Sequence, residues 1–516
     1  MSTTHPRKAL NINNINQNIR SAQYAVRGEL AVRSETYRAQ LRKREAPPTP
    51  PSSDHGTPTS TSTPSSDHKP QEASLPFDTV ISANIGNPQQ LDQKPLTFIR
   101  QVCSLVENPA LLDNPDILQL YFRYPTDVIA RARHLLSECK SVGAYSASQG
   151  VPAIRKSVAA FIERRDGYPA NEGDVFLCAG ASSGVNTMMN VMCKDGKSGV
   201  LVPIPQYPLY TATLSVLGAK CVPYFLDEGT GWGTDLQGIK ESYENAIKEG
   251  TEVRALVVIN PGNPTGACLG EKDVRGVIEF AAEKGVVVVA DEVYQTNVFV
   301  GEFTSFKKML RQMQAEEGGK EKYGDVELVS LNSVSKGMIG ECGHRGGYFE
   351  LTGFDPEVVA QIYKFVSIGL CAPVVGQCVL DCVVNPPKEG EPSYQTYFEE
   401  YEGIKRGLKE RATALYEVFK KMEGVELKEP QGSMYLFPTI QLPAAAVSAA
   451  QKEGRKPDEF YCSRLLDATG ICLVPGSGFG QKEGTLHIRT TFLAPGTDWT
   501  GRIEKFHRGF MEEFKG

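Results

Sequence analysis

The sequence predicts an α/β protein: a large domain with a mostly parallel sheet covered by helices, and a smaller α/β domain beside it. Hydrophobic stretches at Ala255–Ile259, Val286–Ala290 and Val326–Leu331 lack the regular polar alternation of a half-exposed strand, which suits parallel strands covered on both faces. Each stretch runs into polar residues, and in an open parallel sheet ligands bind just outside the carboxyl ends of the strands. At 516 residues the chain is too long for one core, so two or more domains are expected.

Residues 1–45 read as an N-terminal arm, with nine Lys/Arg against three Asp/Glu. Residues 46–75 form a Pro/Ser/Thr-rich insert in which Pro-Ser-Ser-Asp-His occurs twice. Such a segment cannot bury enough apolar surface to offset its ordering entropy, so it is expected to be disordered. Residues 76–144 with 364–516 are assigned to the smaller domain, and 145–363 to the larger. Within the larger, Asp174–Cys178 reads as a strand and Ala179–Gly184 as a small-residue turn. Val185, Met188, Met189 and Met192 then recur at helical spacing. Strand, turn and helix N-terminus together make an anion site, though many α/β proteins contain such a turn. Near the C-terminus, Leu486–Phe492 alternates as a strand would, with Arg489 on one face. An arginine there suits two-pronged capture of a carboxylate, although an isolated strand arginine is usually solvated or salt-bridged.

Chemistry enters at Leu331-Asn-Ser-Val-Ser-Lys-Gly337, followed by Arg345. Lysines normally sit on solvated faces, so one placed where a core strand ends calls for a reason. In such a pocket a lysine can lose its proton readily and attack a carbonyl. The serines and the arginine supply donors for a phosphate, and an aldehyde that also carries a phosphate describes pyridoxal phosphate. Upstream, Asn260-Pro-Gly-Asn-Pro-Thr-Gly266 and Ala290-Asp-Glu-Val-Tyr294 place Asn263, Asp291 and Tyr294 at the same sheet edge. Each has an ordinary alternative: Asn-Pro is a common turn, and Asp291 could cap a helix.

These three motifs, in this order, resemble the fold-type I pyridoxal-phosphate aminotransferases of class I. Tyr24-Ala-Val-Arg-Gly-Glu-Leu30, Ile81–Gln90 and Gly340–Tyr348 resemble the alanine aminotransferase branch of that family, and the likeness covers nearly the whole chain from Ser21 onward except the insert. The resemblance implies pyridoxal 5'-phosphate as cofactor, with Lys336 as covalent anchor and general acid/base. It assigns Asp291 to the pyridine nitrogen, and Asn263 and Tyr294 to the ring hydroxyl. Ala181, Ser182, Ser333 and Arg345 are matched to the phosphate, and Tyr207 to the aromatic that stacks on the ring. Gly86 matches the glycine that closes over the substrate, and Arg489 the grip on the substrate carboxylate. A homodimer is implied, in which Tyr145 reaches the neighbouring subunit's phosphate. The implied reaction is reversible amino transfer between L-alanine and 2-oxoglutarate, giving pyruvate and L-glutamate. A glutamate:glyoxylate aminotransferase is the nearest alternative, and a lyase or decarboxylase using the same coenzyme is the rival outside the class.

Composition narrows the rest. A net charge of -6 and 41% hydrophobic residues describe a soluble enzyme without a basic patch for nucleic acid. Twelve cysteines show no CxxC spacing, and Cys378 and Cys382, four apart, read as core residues of a helix. Three of the seven histidines fall in the N-terminal region, which leaves little support for a metal site. The Gly-x-Gly-x-Gly in Gly476–Gly480 lacks the strand–helix unit of a nicotinamide site. No run of ~20 apolar residues spans a membrane. The arginine-containing arm is interrupted by Glu29 and Glu35, which favours the cytosol over a mitochondrial transit peptide.

Overall fold

The computed structural model describes residues 9–23, 28–45 and 75–515. Tyr24–Arg27 and nearly all of the 46–75 insert lie outside the described residues. An eight-stranded sheet dominates, formed in chain order by β1 (Val175–Cys178), β2 (Ser198–Ile204), β3 (Lys220–Asp227), β4 (Gly233–Thr234), β5 (Glu252–Ile259), β6 (Val287–Asp291), β7 (Leu328–Ser333) and β8 (Gly347–Thr352). Across the sheet the order is β1-β8-β7-β6-β5-β2-β3-β4. The five central strands β7, β6, β5, β2 and β3 run parallel, while β1, β8 and β4 pair antiparallel at the flanks.

Burial on both faces explains the unbroken apolar runs. Val257, Val289 and Val329 pack on one side against Val185, Met188 and Met189 of the helix Ala181–Met192. Val258, Val288, Ala290 and Leu328 face the other side, against Val274, Val277, Met309 and Leu310. Successive strand residues point to opposite faces, so a strand sandwiched between two helical layers needs an apolar residue at every position. Helix ends follow ordinary chain chemistry. The helix Pro152–Asp166 opens with proline in its first turn, and its cap Gly167 adopts φ 76°.

A third core, under the β1 edge, joins the helices Thr97–Glu107, Thr126–Cys139 and Val374–Val384. Cys378 and Cys382 are buried there on the last of these, as the sequence suggested. Smaller strands bring the two ends of the chain together. Ile81–Ser82 pairs in parallel with Ile471–Cys472, and Ile488–Thr491 is flanked antiparallel by Tyr435–Leu436 and Val474–Pro475. The strand around Arg489 is therefore buried along its whole length, because it is the middle strand of three and not an alternating edge.

Candidate active site

Strand register places the candidate residues at one edge. Ile259 is opposite Asp291, and Asp291 is opposite Leu331, so β5 and β6 end level while β7 runs on to Ser333. The turns that follow carry Asn263, Tyr294 and Lys336 respectively. Asp291 ends β6 and leads into a turn, not a helix, so the capping alternative does not hold. Of the twelve sequence-predicted residues, all but Tyr145 and Arg489 line a single cavity of about 250 Å³.

One end of the cavity is built for an anion. The helix Ala181–Met192 starts there, and the first N–H groups of a helix have no partner within it. Arg345 lies across its start, donating from Nη1 to the Cys342 carbonyl (2.9 Å) and from Nη2 to the Ala179 carbonyl (3.0 Å). Gly180 makes room for it: a Cβ there would stand 2.6 Å from Arg345 Nη2, and the backbone at φ 82° favours glycine in any case. Ser333 Oγ donates to Ser335 Oγ at 2.9 Å and accepts the Ser335 N–H at 3.1 Å, which pins the turn leading to Lys336.

The other end is built around a buried carboxylate. Asp291 accepts a hydrogen bond from Tyr210 Oη at 2.8 Å, and the Val293 N–H approaches its other oxygen at 3.4 Å. Burial pushes the Asp291 carboxyl above its ordinary range, and the Tyr210 bond, the Val293 N–H and the Lys336 charge pull it back. Burial and the Asp291 charge hold the Tyr210 hydroxyl far above its usual range, so it remains a donor. Lys336 Nζ stands 5.7 Å from the Tyr294 ring centre, and Tyr294 Oη donates to Tyr435 Oη at 3.1 Å.

Arg489 lies one layer behind the cavity wall, only 1% exposed. Its Nη1 donates to Asn263 Oδ1 at 3.1 Å and its Nη2 to the Asn84 carbonyl at 2.6 Å. The guanidinium is sandwiched between Tyr435 and Phe479, 4.4 and 4.5 Å from their ring centres. Since Asn263 Oδ1 faces Arg489, its amide NH₂ is the end left to meet a ligand in the cavity. Gly86 lies close under Tyr435: a Cβ there would stand 2.4 Å from Tyr435 Oη and would displace it. Tyr145 is 79% exposed and stands outside the cavity.

Sequence reasoning missed Tyr210 and Tyr435. Tyr210 sits three residues after Tyr207, but nothing in that spacing reveals which tyrosine meets Asp291. Tyr435 follows no strand-end signature and becomes legible only once the C-terminal strands are folded.

An anion cradle, a buried carboxylate and an amine around one cavity fit a molecule with a phosphate at one end, a cationic ring nitrogen at the other and a carbonyl between. That description matches pyridoxal 5'-phosphate. A probable alanine aminotransferase, mitochondrial, from Dictyostelium discoideum is 48% identical over 99% of this chain and 91% of its own. From Saccharomyces cerevisiae, an alanine aminotransferase, mitochondrial, is 48% identical over 99% of this chain and 82% of its own, and an inactive alanine aminotransferase is 45% identical over 97% and 94%. The solved alanine aminotransferase of Pyrococcus furiosus superposes with a TM-score of 0.70 at 22% identity, covering 96% of this chain and all of that one, which is a likeness of fold. The family model for aminotransferase class I and II matches residues 117–500, and the chain belongs to this family of pyridoxal-phosphate-dependent enzymes.

Proposed function

We propose that this chain is an alanine aminotransferase, moving an amino group reversibly between L-alanine and 2-oxoglutarate to give pyruvate and L-glutamate. Full-length relatives named as alanine aminotransferases support the substrate reading. An inactive relative of similar identity means that ancestry alone does not carry turnover. The observation that does carry it is the intact set of Lys336, Asp291 and Arg345 around one cavity.

When bound, pyridoxal 5'-phosphate supplies an electron sink for negative charge at the substrate α-carbon. Arg345, Ser182, Ser333 and the helix start at Ala181 would hold the phosphate. Asp291 would favour the proton on the ring nitrogen through charge attraction, and the Tyr210 hydrogen bond favours the ionised form of Asp291. The Asn263 amide and Tyr294 would donate to the ring hydroxyl, and Tyr207 would supply the aromatic surface for the ring. Lys336 would anchor the coenzyme covalently and, as a free amine, would hold or move a proton at the substrate α-carbon. Arg489 takes the substrate carboxylate. A neutral amide or carbonyl gives way to it, since a carboxylate is the stronger acceptor for a guanidinium. Gly86 covers the substrate.

The division into 145–363 and 76–144 with 364–516 is part of this reading, supported by an eight-stranded sheet built only from residues 175–352. We also propose a homodimer, in which Tyr145 reaches the partner's phosphate. Leu120, Tyr121, Phe122, Tyr145 and Ile368 are between 62% and 79% exposed, which leaves large apolar side chains available to a partner subunit. The cytosolic reading made from the sequence stands against two relatives named as mitochondrial. Imaging the chain tagged at its C-terminus, with and without residues 1–23, separates the two.

Absorbance titration with L-alanine, followed by 2-oxoglutarate or glyoxylate, tests donor and acceptor together. The expected result is conversion of the coenzyme by alanine and its recovery by 2-oxoglutarate. A chain that ignores alanine but accepts another donor, or that is recovered only by glyoxylate, overturns the named reaction.

A further inference from the structure

Arg345 holds its place in an unfavourable backbone state. Its φ of 55° lies in the left-handed region, which a residue with a side chain keeps only when its surroundings over-determine it. The turn before it shows what does so. Glu341 is 2% exposed, and its carboxylate accepts Arg100 Nε at 2.9 Å on Oε1 and Arg100 Nη2 at 3.0 Å on Oε2. The same Oε2 stands 2.8 Å from His344 Nδ1, and the Glu341 carbonyl accepts the His344 N–H at 3.2 Å. One buried carboxylate thus closes the turn Glu341–His344 from both main chain and side chain, and Arg345 is the next residue.

The arginine that completes this clamp comes from elsewhere. Arg100 sits on the helix Thr97–Glu107, reached by the segment that begins at Gly86, and its Nη2 also donates to Gln89 Oε1 at 2.6 Å. Gln93, from that segment, donates from Nε2 to the Gly337 carbonyl at 3.2 Å, next to Lys336. None of Glu341, Arg100 or His344 lines the cavity. Their contacts end on the turn that aims Arg345 at the helix start.

We propose that Glu341 is a positioning residue for the phosphate grip, with Arg100 as its anchor, so that losing the pair loosens Arg345 and weakens binding of the phosphate in particular. The inference rests on the coenzyme reading above and deepens it: discrimination between phosphorylated and unphosphorylated coenzyme is assigned to an ion pair outside the site.

The test is a spectral titration of the full chain, stripped of coenzyme, with pyridoxal 5'-phosphate and with pyridoxal, which lacks the phosphate. Wild type is compared with Glu341→Gln and Arg100→Gln. Each variant is expected to raise Kd for pyridoxal 5'-phosphate about tenfold while Kd for pyridoxal moves less than twofold. A merely structural pair would shift both ligands alike or lower Tm with neither Kd changed, and either outcome overturns the proposal. If Glu341→Gln does not fold, Arg100→Gln carries the test, because the Arg100 side chain is 44% exposed and its replacement leaves no cavity in the core. Wild type that fails to bind pyridoxal 5'-phosphate at all would instead refute the coenzyme reading.

Discussion

Tyr210→Phe removes one oxygen atom from a fully buried site and leaves the ring in place. That oxygen donates the 2.8 Å hydrogen bond to Asp291, whose other donor, the Val293 N–H, lies at 3.4 Å. A hydrogen bond to a charged group contributes about 1.5–3 kcal/mol, more than a neutral pair. Burial already pushes Asp291 upward, and the Tyr210 bond opposes that push, so the substitution raises the carboxyl pKa further. A more basic Asp291 draws the shared proton from the ring nitrogen to itself, and the electron sink weakens where charge develops. At about 1.4 kcal/mol per factor of ten, the expected loss in kcat is roughly 10- to 100-fold, with KM for alanine little changed. The assay is a single-turnover half-reaction with L-alanine followed by absorbance, repeated with alanine deuterated at the α-carbon. Proton removal becomes more rate-limiting in the variant, so its isotope effect rises. A loss below threefold, or a fall in affinity with kcat intact, would refute the argument that Tyr210 acts through Asp291.

Lys336→Ala should abolish turnover while the fold survives, checked by circular dichroism and by loss of the borohydride-trapped coenzyme adduct in mass spectrometry. Asp291→Asn removes the counter-charge outright and should cost several orders of magnitude in kcat, since the effect falls on the transition state; a tenfold loss or less would relegate the carboxylate to structure. Arg489→Lys keeps the charge but cannot reach Asn263 and the Asn84 carbonyl together, and should lower kcat/KM for alanine and glutamate alike by about 2–4 kcal/mol. An effect on only one substrate would mean that Arg489 reads a side chain. Gly180→Ala places a methyl 2.6 Å from Arg345 Nη2 at a left-handed φ, and should weaken coenzyme binding in equilibrium dialysis with little change in the reaction rate of whatever remains bound.

The edge of the sheet that lines the cavity was legible in the sequence because strand and turn are local there. Continuous apolar runs mark β5, β6 and β7, and the residues that matter lie within a few positions of each strand end. Asn263, Asp291, Tyr294, Ser333 and Lys336 were readable for that reason. What the sequence withheld depends on packing between distant segments. Tyr210 meets Asp291 across 81 positions, and Arg100 meets Glu341 across 241, with no periodicity to announce either. The depth of Arg489 was hidden because alternation in Leu486–Phe492 gives a strand with Arg489 on one face but not the strands that flank it on both sides.

Arg489 reaches the carbonyl of Asn84, 405 positions away, and the Thr491 N–H donates to the Ala83 carbonyl at 2.8 Å. The segment at Gly86 and the strand of Arg489 are therefore stitched to each other, and Arg489 also ties them to Asn263 in the turn after β5. In a chain growing from its N-terminus, β8, which joins β1 to β7, follows Arg345, and the strand of Arg489 follows later still. A chain that ends before Ile488 would hold every strand of the large sheet yet lack the guanidinium that joins Asn84 to Asn263.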